Sequence, residues 1–132
     1  MAKTFMQMAS EAMAEVKALS PGEAERFRVN NLNTLVVDIR DAEETHQTGI
    51  IPKSINISLR MLPVRADQEL PEEFRDSRVQ DRSRPVITYC THGPNGARGA
   101  KYLKEMGFTD VYYIAGGLKA WEEAGLPIER TS

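Results

Sequence analysis

The chain has 132 residues, 41% of them hydrophobic, and its 17 Lys and Arg nearly balance 19 Asp and Glu. That apolar content builds one ordinary core, and the near-neutral charge excludes the basic footprint by which proteins hold nucleic acid or an anionic membrane. No apolar run approaches the roughly 20 residues that span a bilayer, and residues 1–14 mix Lys3 and Glu11 among Met and Ala instead of forming a signal-peptide core; the expected setting is cytoplasmic, with a small molecule or a protein as partner.

Short apolar runs alternate with amphipathic segments, without internal repeats, and that alternation predicts an α/β fold with a largely parallel sheet. Residues 1–14 read as an N-terminal extension and residues 15–130 as the domain proper. Within the extension, residues 5–15 are rich in Met, Ala and Glu and favour a helix, while Met1, Met6, Met8 and Met13 read as a flexible apolar face. Ser20-Pro21-Gly22-Glu23 combines an N-cap, a proline at the first helical position and a Glu at the third, a capping box that starts a helix through residues 24–29. After the punctuation of Asn30-Asn31-Leu32-Asn33, the β-branched run 34–38 has the length of a buried strand and is placed centrally in the sheet.

Asp41 is the expected cap of a short helix over residues 42–48, Gly49 its end, and residues 54–57 another short strand. From Leu59 to Arg84, Pro63, Pro71 and dense charge predict short helical turns and exposed loop. The clearest strand, residues 85–89, delivers Cys90 at its C-terminal end. Residues 91–96 read as a compact loop, so the following helix is expected to begin near Ala97 and to end at Gly107. Residues 111–114 supply a further strand, Gly116-Gly117 a turn, and residues 118–123 a last helix closed by Gly125 and Pro127, with Trp121 packing in the core.

Cys90 is the only cysteine, and His46 and His92 are the only histidines, which excludes an internal disulfide and a zinc cluster of Cys and His. The thiol is therefore either a buried apolar filler or a reactive group. A strand, a cysteine, a loop and a helix in succession put the sulfur at the carboxyl edge of the sheet, where open α/β proteins bind ligands. Loop N–H groups and the helix dipole there favour a thiolate or a bound anion, and no metal or organic cofactor is required. Gly93 and Gly96 suit backbone that curls around a sulfur. His92 reads either as a solvent-facing loop residue or as a group that orients substrate. Arg98 and Lys101, in the expected first turn of the helix, either add positive charge near the pocket or are simply solvated. Asp38 and Arg40 read as a structural pair that fixes the end of a strand.

These residues resemble the rhodanese family over most of the chain. The strand ending in Asp38-Ile39-Arg40 resembles the family's Asp-x-Arg strand, followed by an acidic helix with Glu43 and Glu44. Residues 49–57 resemble its Gly-His-Ile-Pro-Gly-Ala-x-Asn-Ile segment, with Ile50, Lys53 and Ser54 in place of the His, Gly and Ala. Cys90-Thr91-His92-Gly93-Pro94-Asn95 sits where the family's active-site loop sits, and Gly116-Gly117, Trp121, Gly125 and Pro127 resemble its closing motif. The resemblance implies a small doubly wound domain with a mostly parallel five-stranded sheet flanked by helices. It implies Cys90 as the sulfur carrier, with Thr91, His92, Gly93, Pro94, Asn95, Gly96 and Arg98 as the substrate-binding loop.

The implied activity is a sulfurtransferase: the Cys90 thiolate takes the outer sulfur of thiosulfate or another persulfide donor and passes it to cyanide, a thiol or an acceptor protein, with ping-pong kinetics. Many members carry Arg where this chain has Asn95, and Arg98, Arg60 or Arg65 are the cations that could stand in. Two other readings fit such a fold. A phosphatase or arsenate reductase uses Cys-x5-Arg, whereas the sixth residue after Cys90 is Gly96. A regulatory or protein-binding module typically lacks the cysteine.

Overall fold

The computed structural model describes residues 2–131. In chain order the elements are α1 (Phe5–Glu15), β1 (Lys17–Leu19), α2 (Pro21–Asn30), β2 (Leu35–Asp38), α3 (Ala42–Thr48), β3 (Ile55–Asn56), α4 (Leu62–Ala66), β4 (Val86–Tyr89), α5 (Pro94–Glu105), β5 (Val111–Ile114) and α6 (Gly117–Glu123), with single 3-10 turns at Glu72–Phe74 and Ser77–Val79.

Local chemistry sets the first helix starts. The Thr4 hydroxyl accepts from the Gln7 N–H at 3.1 Å while the Gln7 side chain accepts from the Thr4 N–H at 2.7 Å, which opens α1. Ser20 and Glu23 repeat that reciprocal pair at the start of α2, with Pro21 at the first helical position. Asp41 precedes α3 but makes no side-chain cap bond, and Gly49 ends that helix at φ 84°.

The five strands lie in the order β1-β5-β4-β2-β3, and every neighbouring pair is parallel. The central strand is β4, not β2: the chain winds outward from β2 to β3, crosses back to β4, and continues to β5 on the other side. β2 and β4 are buried at every position because helices cover both faces. On one face α1, α4 and α5 close over Leu35, Val37, Val86 and Leu103; on the other, α2 and α6 cover Val36, Ile87, Tyr89 and Trp121. Alternate residues of β2 thus enter opposite cores, as the pleat of a strand requires.

The stretch between α4 and β4 has little apolar content and is held by polar contacts instead. The Gln80 amide donates to the carbonyls of Arg65 and Asp67 at 2.9 and 3.2 Å. Among the methionines, Met6 and Met8 are exposed and Met13 packs on the core; Met1 lies outside the described residues. Among the described residues, no helix is long and apolar enough to cross a membrane.

Replacing Ser20 by Ala removes the α2 cap and is expected to cost about 1 kcal/mol. The check is a lower urea midpoint with an unchanged m-value.

Candidate active site

β4 ends at Tyr89, and the chain reverses within Thr91, His92 and Gly93 before α5 begins at Pro94. The loop is three residues shorter than the sequence suggests, and Pro94, Asn95 and Gly96 form the first helical turn. Pro94 accounts for this: its fixed φ and missing N–H suit the first helical position, and Gly93, at φ 123°, supplies the sharp turn before it. The Gly93 N–H donates to Cys90 Sγ at 3.1 Å. Arg98 and Lys101 consequently lie beyond the first turn, where they oppose the dipole less than a first-turn position would.

Gly96 has a different role from the one expected. It is helical, not left-handed, and what it provides is closeness: an added Cβ would lie 3.1 Å from Tyr89 Cα and 3.2 Å from Cys90 N. The Thr88 hydroxyl donates to the Gly96 carbonyl at 2.6 Å, which fastens the start of α5 to the end of β4.

A second turn backs the cysteine loop. Gly116 and Gly117 have φ 77° and 63°, and the N–H groups of Leu118 and Lys119 donate to the carbonyls of Cys90 and Thr91 at 2.8 and 2.9 Å. A Cβ on Gly117 would stand 2.4 Å from the Cys90 carbonyl oxygen.

The end of β2 forms the facing wall. Arg40 donates from Nε and Nη2 to the two Asp38 carboxylate oxygens at 3.0 and 2.7 Å, from Nη1 to Thr48 Oγ1 at 2.7 Å, and from Nη2 to the Gly49 carbonyl at 3.0 Å. Asp38 is 0% and Arg40 4% exposed. Burial opposes the Arg40 charge, but the Asp38 hydrogen bonds and charge outweigh it and hold the guanidinium above its ordinary value. Next to the cysteine, Tyr89 points into the other core, where its hydroxyl accepts from the Ile51 N–H at 3.1 Å and meets Ser54 Oγ at 2.8 Å. Burial, with the Asp38 charge adding to it, pushes this phenol well above its ordinary value, so it remains protonated.

Between these walls lies a cleft of about 1000 Å³. Cys90, 6% exposed, contributes to it with Thr91, His92, Pro94, Asn95 and Arg98. His92 is exposed at its mouth. Arg98 Nη1 donates to Asn95 Oδ1 at 3.2 Å. Arg60 also lines the cleft, opposite in charge to Asp41 and Glu44 of the α3 start. Arg65 does not: its guanidinium donates to the Phe74 carbonyl at 2.9 Å, so it is committed to the loop before β4. Lys101 is turned away and lies 3.5 Å from Glu15. Phe5, Leu59, Pro63 and Tyr102 line the cleft through long-range packing that no local pattern encodes, and the Gly116-Gly117 pair, legible as a turn and as part of a closing motif, gives no local sign that it backs the cysteine loop.

Asp38→Ala leaves the Arg40 charge buried and uncompensated, and a loss of about 3–5 kcal/mol is expected in equilibrium unfolding. Gly117→Ala combines a left-handed backbone with a backbone clash, and should lose at least about 1 kcal/mol while accelerating alkylation of Cys90 as its loop is displaced.

The Rhodanese-like domain family matches residues 20–124. A sulfurtransferase of Allochromatium vinosum is 32% identical over 96 residues, covering 73% of this chain and 78% of that one. Thiosulfate sulfurtransferase GlpE of Pseudomonas savastanoi pv. phaseolicola is 31% identical over 109 residues, 83% of this chain and 90% of its own length. Among solved structures, a protein of unknown function and possible tyrosine phosphatase from Rhodopseudomonas palustris superposes with a TM-score of 0.89 at 30% identity, over 98% of this chain and 96% of that one. With the family matched from the start of α2 to the end of α6 and relatives aligned over most of both lengths, the chain belongs to the rhodanese-like domain family.

Proposed function

We propose that this chain is a sulfurtransferase that carries sulfane sulfur on Cys90. The observation that carries the reading is the placement of Cys90: the residue lines the cleft and its Sγ accepts the Gly93 N–H at the N-terminus of α5. A backbone donor and a helix N-terminus both stabilise negative charge on sulfur, in the reacting thiolate and in a persulfide alike. The relatives named sulfurtransferase and thiosulfate sulfurtransferase support the same reaction.

The Cys90 thiolate attacks the outer sulfur of thiosulfate. A Cys90 S–S bond forms, the bond between the two thiosulfate sulfurs breaks, and sulfite leaves with the electron pair. An acceptor nucleophile then removes the outer sulfur and regenerates the thiolate, two covalent steps that yield ping-pong kinetics. Arg98 and Arg60 give the donor anion its counter-charge, while Asp38 and Arg40, being paired with each other, hold the wall in place and transfer no proton. Among the described residues no helix is long and apolar enough to cross a membrane; a cytoplasmic setting is part of this proposal.

The possible phosphatase activity of the R. palustris protein does not suit this cleft. Such chemistry uses an arginine six residues after the cysteine to wrap the equatorial oxygens, and that position here is Gly96, pressed against the backbone of Tyr89 and without a side chain, while Arg98 and Arg60 stand elsewhere in the cleft.

Thiosulfate:cyanide sulfur transfer is expected from the purified protein, together with a gain of one sulfur atom in intact mass after thiosulfate treatment. Both should vanish in Cys90→Ser. A protein that gains no sulfur and turns over no thiosulfate would overturn the thiosulfate mechanism and leave another persulfide donor or a binding role.

A further inference from the structure

Phe5, the first residue of α1, lines the cleft. The capping box of Thr4 and Gln7 fixes where this helix begins, which puts Phe5 at its first position. Farther along, Ala9 and Ala12 are buried, Glu15 lies 3.5 Å from Lys101, and Lys104 Nζ donates to the Glu15 carbonyl at 2.6 Å, so α1 is fastened along α5 and cannot swing free without breaking that contact. Phe5 precedes the residues matched by the family, yet its ring lines the same cleft as Cys90 and remains 45% exposed.

Arg98 stands beside that ring. Its guanidinium carbon lies 5.8 Å from the Phe5 centroid, and Nη1 is bonded to Asn95 Oδ1. Among the described residues Arg98 makes no ion pair, whereas Arg40 is neutralised by Asp38. The cleft thus joins a free cation, aligned by an amide and an aromatic face, to an apolar wall of Phe5, Tyr102, Leu59 and Pro63. Thiosulfate or cyanide fills only a small part of about 1000 Å³, and the open cleft has room for an organic ligand.

We infer that the sulfur acceptor is an organic thiol bearing both an anionic group and an apolar segment, the anion held by Arg98 and the apolar segment by Phe5. This rests on the sulfurtransferase reading above. The acceptor thiolate attacks the outer sulfur of the Cys90 persulfide; a new S–S bond forms on the acceptor, the Cys90 S–S bond breaks, and its electron pair restores the Cys90 thiolate. The charges balance and no external oxidant or reductant takes part. Asp41 and Glu44 line the same cleft and repel the anionic group, which favours its seat at Arg98. Phe5 serves twice, as apolar contact and as the positioning residue for Arg98.

The test uses the full chain with saturating thiosulfate and four acceptors: mercaptobenzoate, which has ring and charge; thiophenol, which has the ring alone; mercaptopropionate, which has charge without a ring; and cyanide. Phe5→Ala is expected to lower the ratio of kcat/KM for mercaptobenzoate over mercaptopropionate about tenfold, through KM, and Phe5→Leu to retain most of it. Arg98→Gln is expected to lower the ratio of mercaptobenzoate over thiophenol about tenfold. Each ratio is compared with the wild-type ratio, so intrinsic thiol reactivity and any general loss of activity cancel. Ratios that stay at their wild-type values while cyanide still receives sulfur overturn the assignment of the acceptor and leave the sulfurtransferase reading standing. Absence of Cys90-dependent transfer to all four acceptors overturns both.

Discussion

At Gly96 the backbone of α5 comes so near the end of β4 that even a methyl group there would press on Tyr89 and Cys90. The rest of the active edge follows from this approach. It brings the N-terminus of a 12-residue helix to the cysteine, it lets the Thr88 hydroxyl reach a helix carbonyl, and it leaves only Thr91, His92 and Gly93 to make the reversal. So short a turn has few conformations available, and the N–H of its glycine falls on the sulfur. A bulkier residue at position 96 would push the helix outward and lengthen that contact.

The turn does not hold its shape alone. Parallel strands deliver several loops to one edge of the sheet, and here the loop after β5 interlocks with the loop after β4. Gly116 and Gly117 adopt left-handed conformations so that the first N–H groups of α6 can meet the carbonyls of Cys90 and Thr91. Those carbonyls would otherwise stand unpaired beside the sulfur. Across the cleft the Asp38–Arg40 pair does the corresponding work for the end of β2, satisfying the Thr48 hydroxyl and the Gly49 carbonyl. Its two charges cancel each other, so the cations left in the cleft are Arg98 and Arg60, with Asp41 and Glu44 as its carboxylates.

Much of this could be read locally. Ser20-Pro21-Gly22-Glu23 carries its own helix start, and the run ending at Tyr89 carries its own strand, because capping and β-branching act over a few residues. The misreadings share a cause. Gly93-Pro94-Asn95-Gly96 contains strong loop formers that mask the helix-start signal of Pro94, and only contact with β4 reveals that Gly96 is chosen for its lack of a side chain. Lys101 and Arg65 looked equivalent to Arg98 as nearby cations; their distant partners, Glu15 and the Phe74 carbonyl, remove them from the cleft.

By itself the sequence determined the alternation of strands and helices, the position of Cys90 after the clearest strand, and the family, since these rest on periodicity and on short motifs. Tertiary structure alone decided which strand is central, which arginines line the cleft, and that Phe5, 85 positions before Cys90, lines it too. Those outcomes depend on which surfaces meet when the helices dock on the sheet, and that docking is governed by burial of both cores at once instead of by any local run of residues.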